Sequence, residues 1–192
     1  MYSNLIELTV SKLKEKGVSF DNGLSEKEFD KIKSIFGISF PPDLKTFLSK
    51  YLPTSEGFPH WRASVKSEKE KEKIDNSLAW PLEGILFHIL TGDYWNEAWG
   101  NKPKTKEEQK SIAIKAFKNY PILIPIYSHR YIPQTPSEDA NPIFSVYSSD
   151  IIYYGYDLWS YFANEFGYKL PETLGEITYP KEIKFWSEFD PV

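Results

Sequence analysis

Ser128, His129 and Arg130 are consecutive, and they are the residues of this chain that come nearest to a catalytic group. A hydrolase built on them would use Ser128 as the nucleophile, His129 as the base and Asp150 as the acid that orients the base. However, neighbouring side chains on an extended chain point to opposite faces, so Ser128 and His129 are not expected to form a working pair. The chain also lacks a G-x-S-x-G elbow. We therefore expect Arg130 to pair with Asp150 or another carboxylate, and the sequence favours a protein that is not an enzyme, with the hydrolase as the weaker alternative.

Metal and cofactor chemistry have little support in the sequence. The three histidines, His60, His88 and His129, are far apart, and the chain has no cysteine. Paired ligands at short spacing, which typify zinc sites, are therefore missing. The glycine-rich patterns that cradle phosphates are missing too. The sequence predicts no metal and no cofactor, and the lack of cysteine fits a reducing compartment.

Charge and aromatic residues are unevenly distributed along the 192 residues. Residues 1–120 carry 19 Lys and Arg against 17 Asp and Glu, whereas residues 121–192 carry 4 against 10 and also hold 16 of the 32 aromatic residues. An acidic, aromatic-rich segment is a poor electrostatic match for nucleic acid and a good one for a basic protein. The competing interpretation is an aromatic core beneath a solvated acidic surface.

Candidate contact residues for such a protein partner combine acidic groups, which attract a basic surface, with aromatic groups, which anchor it. Trp95 and Trp99 are four residues apart and are predicted to share a helix face, where they would clamp a sugar or a partner side chain, or fill the edge of the core. The predicted contacts are Asp93, Tyr94, Trp95, Glu97, Glu138, Asp139, Tyr153 and Tyr156.

The centre of the chain predicts a sheet with a helix folded back on it. Its β-branched and aromatic runs, Ile122–Tyr127, Ile143–Tyr147 and Ile151–Tyr154, are bounded by Pro, Ser, Asn and Asp. Only a few residues separate the last two runs, which indicates a tight antiparallel hairpin. Asp157 then marks the beginning of a helix, and Gly167 marks its end.

The N-terminal part of the chain predicts several helices. Ser25 and Glu28 have the spacing of a capping box, and so do Thr105 and Glu108. We also expect a helix from Ser3 to about Lys16, a helix after Phe40-Pro-Pro-Asp43, the end of a strand at Leu78–Trp80, and a buried helix beginning at Pro81. Helices early and strands late predict an α+β fold, in which a mainly antiparallel mixed sheet packs against several helices.

The chain is expected to form one domain over residues 1–192, with an N-terminal helical extension at 1–23 and a charged surface excursion at 66–76. Hydrophobic residues make up 41% of the chain and charged residues 26%, as in ordinary globular proteins. No signal peptide and no apolar run long enough for a membrane helix is visible, so we expect a cytoplasmic protein without a membrane partner. The oligomeric state is left open.

Several segments occur in an order that resembles the SUKH superfamily. The central match comprises Pro125–Pro133, Asn141–Tyr147 and Asp150–Leu158. Shorter matches are Leu24–Glu28, Phe40–Leu44, Trp95 with Trp99-Gly100, and Ile183–Trp186. The superfamily includes fungal regulators of glucan synthesis and cell-wall assembly, and bacterial immunity proteins that neutralise secreted toxins.

The resemblance implies a protein-binding domain, most plainly an immunity protein that blocks a toxin. Many such toxins are nucleases, whose substrate-binding faces are basic and match an acidic inhibitor. The alternative that the resemblance leaves open is a regulatory scaffold that binds cell-wall synthesis or signalling proteins.

Overall fold

The computed structural model describes residues 2–171 and 177–190. These residues form seven α-helices and two antiparallel sheets, which confirms the predicted α+β class. The helices are α1 (Tyr2–Glu15), α2 (Glu26–Phe36), α3 (Pro42–Lys50), α4 (Trp61–Ser64), α5 (Glu68–Thr91), α6 (Lys106–Phe117) and α7 (Leu158–Phe166). The strands are β1 (Phe20–Asn22), β2 (Tyr51–Pro53), β3 (Leu123–Tyr127), β4 (Arg130–Pro133), β5 (Ile143–Tyr147) and β6 (Asp150–Gly155).

The larger sheet is a four-stranded meander in the order β3-β4-β5-β6. Its three predicted runs are strands, and the expected hairpin joins β5 to β6, with Tyr147 opposite Asp150. β4 was not predicted from the sequence, because its four residues carry an arginine and a proline in place of a β-branched run. This strand pairs with both β3 and β5 and so completes the sheet.

Helices cover both faces of this sheet. Side chains alternate between the two faces of a strand. On one face Ile124, Ile126, Ile132 and Ile143 pack against residues of α1, α2, α3 and α7. On the other face Leu123, Tyr131, Phe144 and Val146 pack against α5, α6 and the C-terminal segment that contains Phe185 and Trp186. β3, β4 and β5 are therefore buried on both sides except near their ends, whereas the edge strand β6 is largely accessible to solvent.

Helix α1, which belongs to the helical extension expected at 1–23, contributes to the same core. Leu5, Ile6, Val10 and Leu13 of α1 are buried. The hydroxyl of Tyr168, just after α7, donates to Thr9 Oγ1 over 3.2 Å. Further along, β1 pairs with β2 in a separate two-stranded sheet.

The prediction of a strand end at Leu78–Trp80 and a new helix at Pro81 is wrong. Both segments lie inside α5, whose first turns contain the charged run that was expected to be a surface excursion. Proline in a helix interior removes the N–H that would bond the carbonyl four residues earlier, here that of Ser77. Tyr131 on β4 replaces it, since its hydroxyl donates to the Ser77 carbonyl over 3.0 Å. A bond from the sheet thus compensates for the proline and allows one long helix.

Among the described residues, no helix is both long and apolar enough to cross a membrane.

Candidate protein-binding surface

Helix α5 lies against the β5–β6 turn and carries two exposed aromatic side chains beside it. The turn approaches the helix so closely that a Cβ on Gly84 would lie 2.7 Å from Ser148 Cα. One turn further along, His88 Nε2 lies 2.9 Å from Ser148 Oγ. Trp80 and Phe87 flank this contact, and 42% and 60% of their surfaces are exposed. The indole N–H of Trp80 donates to the Val146 carbonyl over 3.2 Å, which fixes the ring beside the end of β5.

Tyr147 stands on the other side of the same turn. Val146 points towards α5, so Tyr147, the next residue on β5, points to the opposite face of the sheet. Its side chain is 66% exposed and meets the His129 ring edge-on, with 6.3 Å between centroids. Two carboxylates accompany the aromatic residues: Glu83 lies between Trp80 and Phe87 on the helix surface, and Asp150 follows the turn. We call this set the hairpin-end surface: Trp80, Glu83, Phe87, Tyr147 and Asp150.

Every free charge on the segments that build this surface is negative. Residues 80–93 and 127–150 contain a single Lys or Arg, Arg130. The Arg130 side chain is only 11% exposed and forms a 2.9 Å ion pair with Glu165 on α7. Lys102 approaches one end of the surface, where it donates to the Gly92 carbonyl over 3.4 Å. Glu56 adds a further exposed carboxylate nearby. The carbonyl of the next residue, Gly57, accepts a hydrogen bond from the Ser128 N–H in the β3–β4 turn.

Arg130 therefore pairs with a carboxylate, as the sequence predicted, and that carboxylate is Glu165. Its guanidinium also donates to Ser145 Oγ and lies over the ring of Tyr154, 3.5 Å from the centroid. A cation held at once by an anion, a hydroxyl and a π face is strongly fixed. Arg130 thus ties the sheet to α7 and is not available to a partner.

The expectation that the side chains of Ser128 and His129 point to opposite faces is wrong. Ser128 occupies the β3–β4 turn with φ of 49°, so the extended-chain rule does not apply there. Ser128 Oγ and His129 Nδ1 are 3.1 Å apart, and Arg130 Nη1 lies 2.6 Å from His129 Nε2. The three residues form a hydrogen-bonded chain around the turn.

The direction of that chain does not suit a serine nucleophile. A guanidinium can only donate, so His129 Nε2 accepts, and the proton of the neutral ring is on Nδ1. Nδ1–H then donates to Ser128 Oγ, whereas a general base would need a lone pair facing that hydroxyl. Burial, followed by the charge of Arg130, lowers the pKa of His129 and so favours the neutral ring. Asp150, the acid that such a triad would need, is exposed to solvent.

The first group of predicted contacts follows α5 directly. Asp93 and Glu97 are exposed, and Asp93 adjoins the hairpin-end surface, with Oδ2 3.8 Å from His88 Nδ1. Tyr94 is half-buried and stacks on Phe189 at 5.5 Å. Trp95 is also half-buried, and its indole N–H donates to the Gly100 carbonyl over 2.8 Å. These two aromatic rings serve the fold at least in part.

The prediction that Trp95 and Trp99 share a helix face is wrong. Only Glu97–Trp99 is helical there, as a single 3-10 turn. The two rings nevertheless meet edge-on, with 5.3 Å between centroids. Trp99 also donates to the Tyr120 hydroxyl over 2.7 Å and stacks on Phe185. The pair therefore packs at the edge of the core, which was the second of the two expectations.

The remaining predicted contacts border the C-terminal segment 181–190. Lys181 donates to Glu138 Oε2 over 3.0 Å and to the Asp139 carbonyl over 2.6 Å. The N–H of Tyr153 donates to Asp190 Oδ2 over 2.8 Å, and its hydroxyl bonds Ser187. The ring of Tyr156 meets that of Tyr153 edge-on. The segment thus contacts Glu138, Asp139 and Tyr153, and Tyr156 lies next to it through the ring of Tyr153. All eight residues predicted as contacts stay predictions in that role.

Trp80, Glu83, Phe87 and Tyr147 were not among the predicted contacts. The predicted helix began at Pro81, so the prediction left Trp80 and Phe87 in different elements. In a continuous helix, the seven-residue spacing of the two aromatic residues places them on one face. Tyr147 was assigned to a strand, and its exposure depends on what packs on that face.

No group of three or more His, Cys, Asp or Glu side chains in residues 2–171 and 177–190 is placed to hold a metal ion. In comparisons with known proteins, the chain matches no family model, no curated protein and no solved structure.

Proposed function

We propose that this chain is a non-enzymatic protein-binding module whose hairpin-end surface binds a basic protein. The observation that carries the proposal is the exposure of Trp80, Phe87 and Tyr147 beside Glu83 and Asp150, with no free cation on the same segments. Large aromatic side chains are the usual anchors of protein interfaces, and a rim of one charge attracts and orients a partner of the other.

The resemblance to the SUKH superfamily directs the proposal to one kind of partner. An immunity protein has to bind a toxin rapidly and cover its active face. Where the toxin is a nuclease, that face is basic because it binds phosphates. An acidic surface with aromatic anchors meets both requirements, since steering raises the association rate and buried rings supply affinity. The proposed function is therefore the neutralisation of a cognate toxin, in the first instance a nuclease.

A second candidate, a scaffold for cell-wall synthesis or signalling proteins, uses the same surface with a different partner. Both functions need a partner with a basic patch that contains apolar residues, so the identity of the captured partner separates them.

The test is a capture experiment with the tagged chain against secreted and cell-surface proteins of its own organism. We compare the wild-type chain with the double variant Phe87→Ala/Tyr147→Ala. Both side chains are mainly exposed, so the variant should keep its stability and lose the partner. The matched control is Ile35→Ala/Tyr179→Ala, which removes one aliphatic and one aromatic exposed side chain away from this surface.

The immunity function would be supported by a captured toxic enzyme that loses its activity on binding. The control variant should still capture this enzyme, and the Phe87→Ala/Tyr147→Ala variant should not. Cell-wall or signalling proteins with the same dependence on the two aromatic residues would favour the scaffold. A partner that both double variants retain equally would contradict the hairpin-end surface as the binding site.

A further inference from the structure

A groove runs past the beginning of β3, on the far side of α5 from Trp80. It consists of two adjoining hollows that share Lys118, Tyr120, Pro121 and Ile122. The inner hollow lies between α5, α6 and β3, and the outer hollow opens towards the C-terminal segment. Because it is separate from the hairpin-end surface, the groove can act independently of the function proposed above.

The inner hollow is apolar and has a volume of about 260 Å³. Its one charged lining residue is Lys118, the residue after α6. The apolar side chains around it come from both helices, from β3 and from the C-terminal segment: Leu78, Leu82, Ile114, Phe117, Leu123 and Trp186. An apolar hollow of this kind favours a hydrocarbon chain or ring over water.

The outer hollow, of about 510 Å³, adds a second cation. Lys184 is exposed and lies over the Tyr120 ring, 5.5 Å from the centroid. Lys118 is exposed as well, and its ammonium has no ion pair or hydrogen bond to any of the residues described. Glu182 also lines this hollow and forms no ion pair with either lysine. Two lysines against one glutamate make the outer hollow locally positive on a chain whose net charge is −4.

We propose that this groove binds an anionic amphiphile, with its apolar part in the inner hollow and its anionic head group at Lys118 and Lys184. Lys118 lines both hollows, at the place where the head and the tail of such a ligand would meet. The apolar lining supplies most of the affinity, and the lysines select the charge of the head group.

The test is calorimetric titration of the full-length chain with decanoate below its micelle concentration, with decanol and decyltrimethylammonium as matched ligands. We expect one saturable site for decanoate, with decanol bound about fivefold more weakly because it lacks the charge. Decyltrimethylammonium should bind more weakly still. Decyl sulfate distinguishes a carboxylate-selective site from a general anion site.

Two variants locate the ligand. Lys118→Met keeps the apolar stem and removes the charge, so it should weaken decanoate about fivefold and leave decanol unchanged. Lys115→Met, an exposed α6 position that does not line the groove, is the matched control. Ile114→Trp fills the inner hollow and should abolish binding of both ligands, with circular dichroism to check the fold.

The proposal is overturned if decanoate and decanol bind equally, or if Lys118→Met behaves like Lys115→Met. If Ile114→Trp does not fold, the comparison of Lys118→Met with Lys115→Met still decides the outcome. The decanoate titration does not depend on whether the Phe87→Ala/Tyr147→Ala variant loses the protein partner. The groove proposal and the proposed function can therefore fail separately.

Discussion

His129 is held between a hydroxyl and a guanidinium, and these two neighbours determine what its imidazole can do. Arg130 uses the Nε2 lone pair, so the remaining ring nitrogen donates to Ser128. Residue types that suggest catalysis in the sequence thus form a structural chain that ends in the ion pair with Glu165. The types of these residues could be read from the sequence, but the direction of their hydrogen bonds could not.

Asp43 gives a pH-dependence prediction. Burial raises its pKa to about 6, and this outweighs the opposing hydrogen bonds from the Ala140 and Leu44 N–H groups. Because the folded-state pKa lies above the ordinary value of 3.8, the folded state binds the proton more tightly than the unfolded chain. This carboxyl group should therefore increase the free energy of unfolding as pH falls from about 7 to about 4, by up to about 3 kcal/mol.

Urea unfolding at several pH values checks this prediction through Asp43→Asn. The variant loses the titrating group, so the difference in unfolding free energy between it and the wild type should change with pH across this interval. Other carboxyl groups contribute equally to the wild type and the variant, so their effects cancel in the difference. One of them is Glu28, whose pKa is lowered to about 2 by the hydrogen bond from Arg62. A constant difference from pH 4 to pH 7 would show that Asp43 does not titrate there.

At the level of elements, α5 depends on the sheet for its continuity. The Ser77 carbonyl lacks its helical donor because Pro81 has no N–H, and Tyr131 supplies the hydrogen bond from β4. Removing that donor leaves the carbonyl without its partner. We therefore expect Tyr131→Phe to lower the free energy of unfolding by about 1–3 kcal/mol, measured by urea denaturation.

A double-mutant cycle with Pro81→Ala isolates this bond. Alanine restores a backbone N–H for the Ser77 carbonyl, so Tyr131→Phe should have a smaller effect in that background. Tyr147→Phe, which removes a hydroxyl from an exposed tyrosine, is the control and should change little. Equal losses from Tyr131→Phe in the two backgrounds would contradict the compensation.

For the whole molecule, charge distribution sets how a partner approaches. The segments at the hairpin-end surface carry carboxylates and one fully engaged arginine. If the partner is basic, its association rate should fall at least about tenfold between low and high salt, because counterions screen the attraction. The dissociation rate, which depends on the aromatic contacts, should change much less.

Stopped-flow measurements with the captured partner test this prediction. The variant Glu83→Gln/Asp150→Asn should reduce the salt dependence of the association rate. Glu72→Gln, at an exposed position near the beginning of α5, should leave it close to the wild-type value. An association rate that does not respond to salt would remove electrostatic steering from the proposed function, while leaving the aromatic anchors in place.

Features that depend on neighbouring residues could be predicted from the sequence. The N–H of Ser25 donates to Glu28 Oε2 over 2.8 Å, and the N–H of Glu108 donates to Thr105 Oγ1, as the two capping patterns indicated. The β5–β6 hairpin followed from β-branched runs separated by a short turn. Each of these depends on backbone preferences and spacings of a few residues, which the order of residues specifies directly.

The surface and the groove were decided by tertiary structure. Trp80 is exposed on a continuous α5 because Tyr131, some fifty residues later, supplies the bond that Pro81 cannot. Arg130 is unavailable to a partner because Glu165 on α7 binds it, and the groove exists because α6 and the C-terminal segment meet beside β3. The sequence predicted the capped helices and three of the four strands of the larger sheet. Which of their side chains remain exposed depended on long-range packing, because burial is a property of the neighbours that the fold brings together.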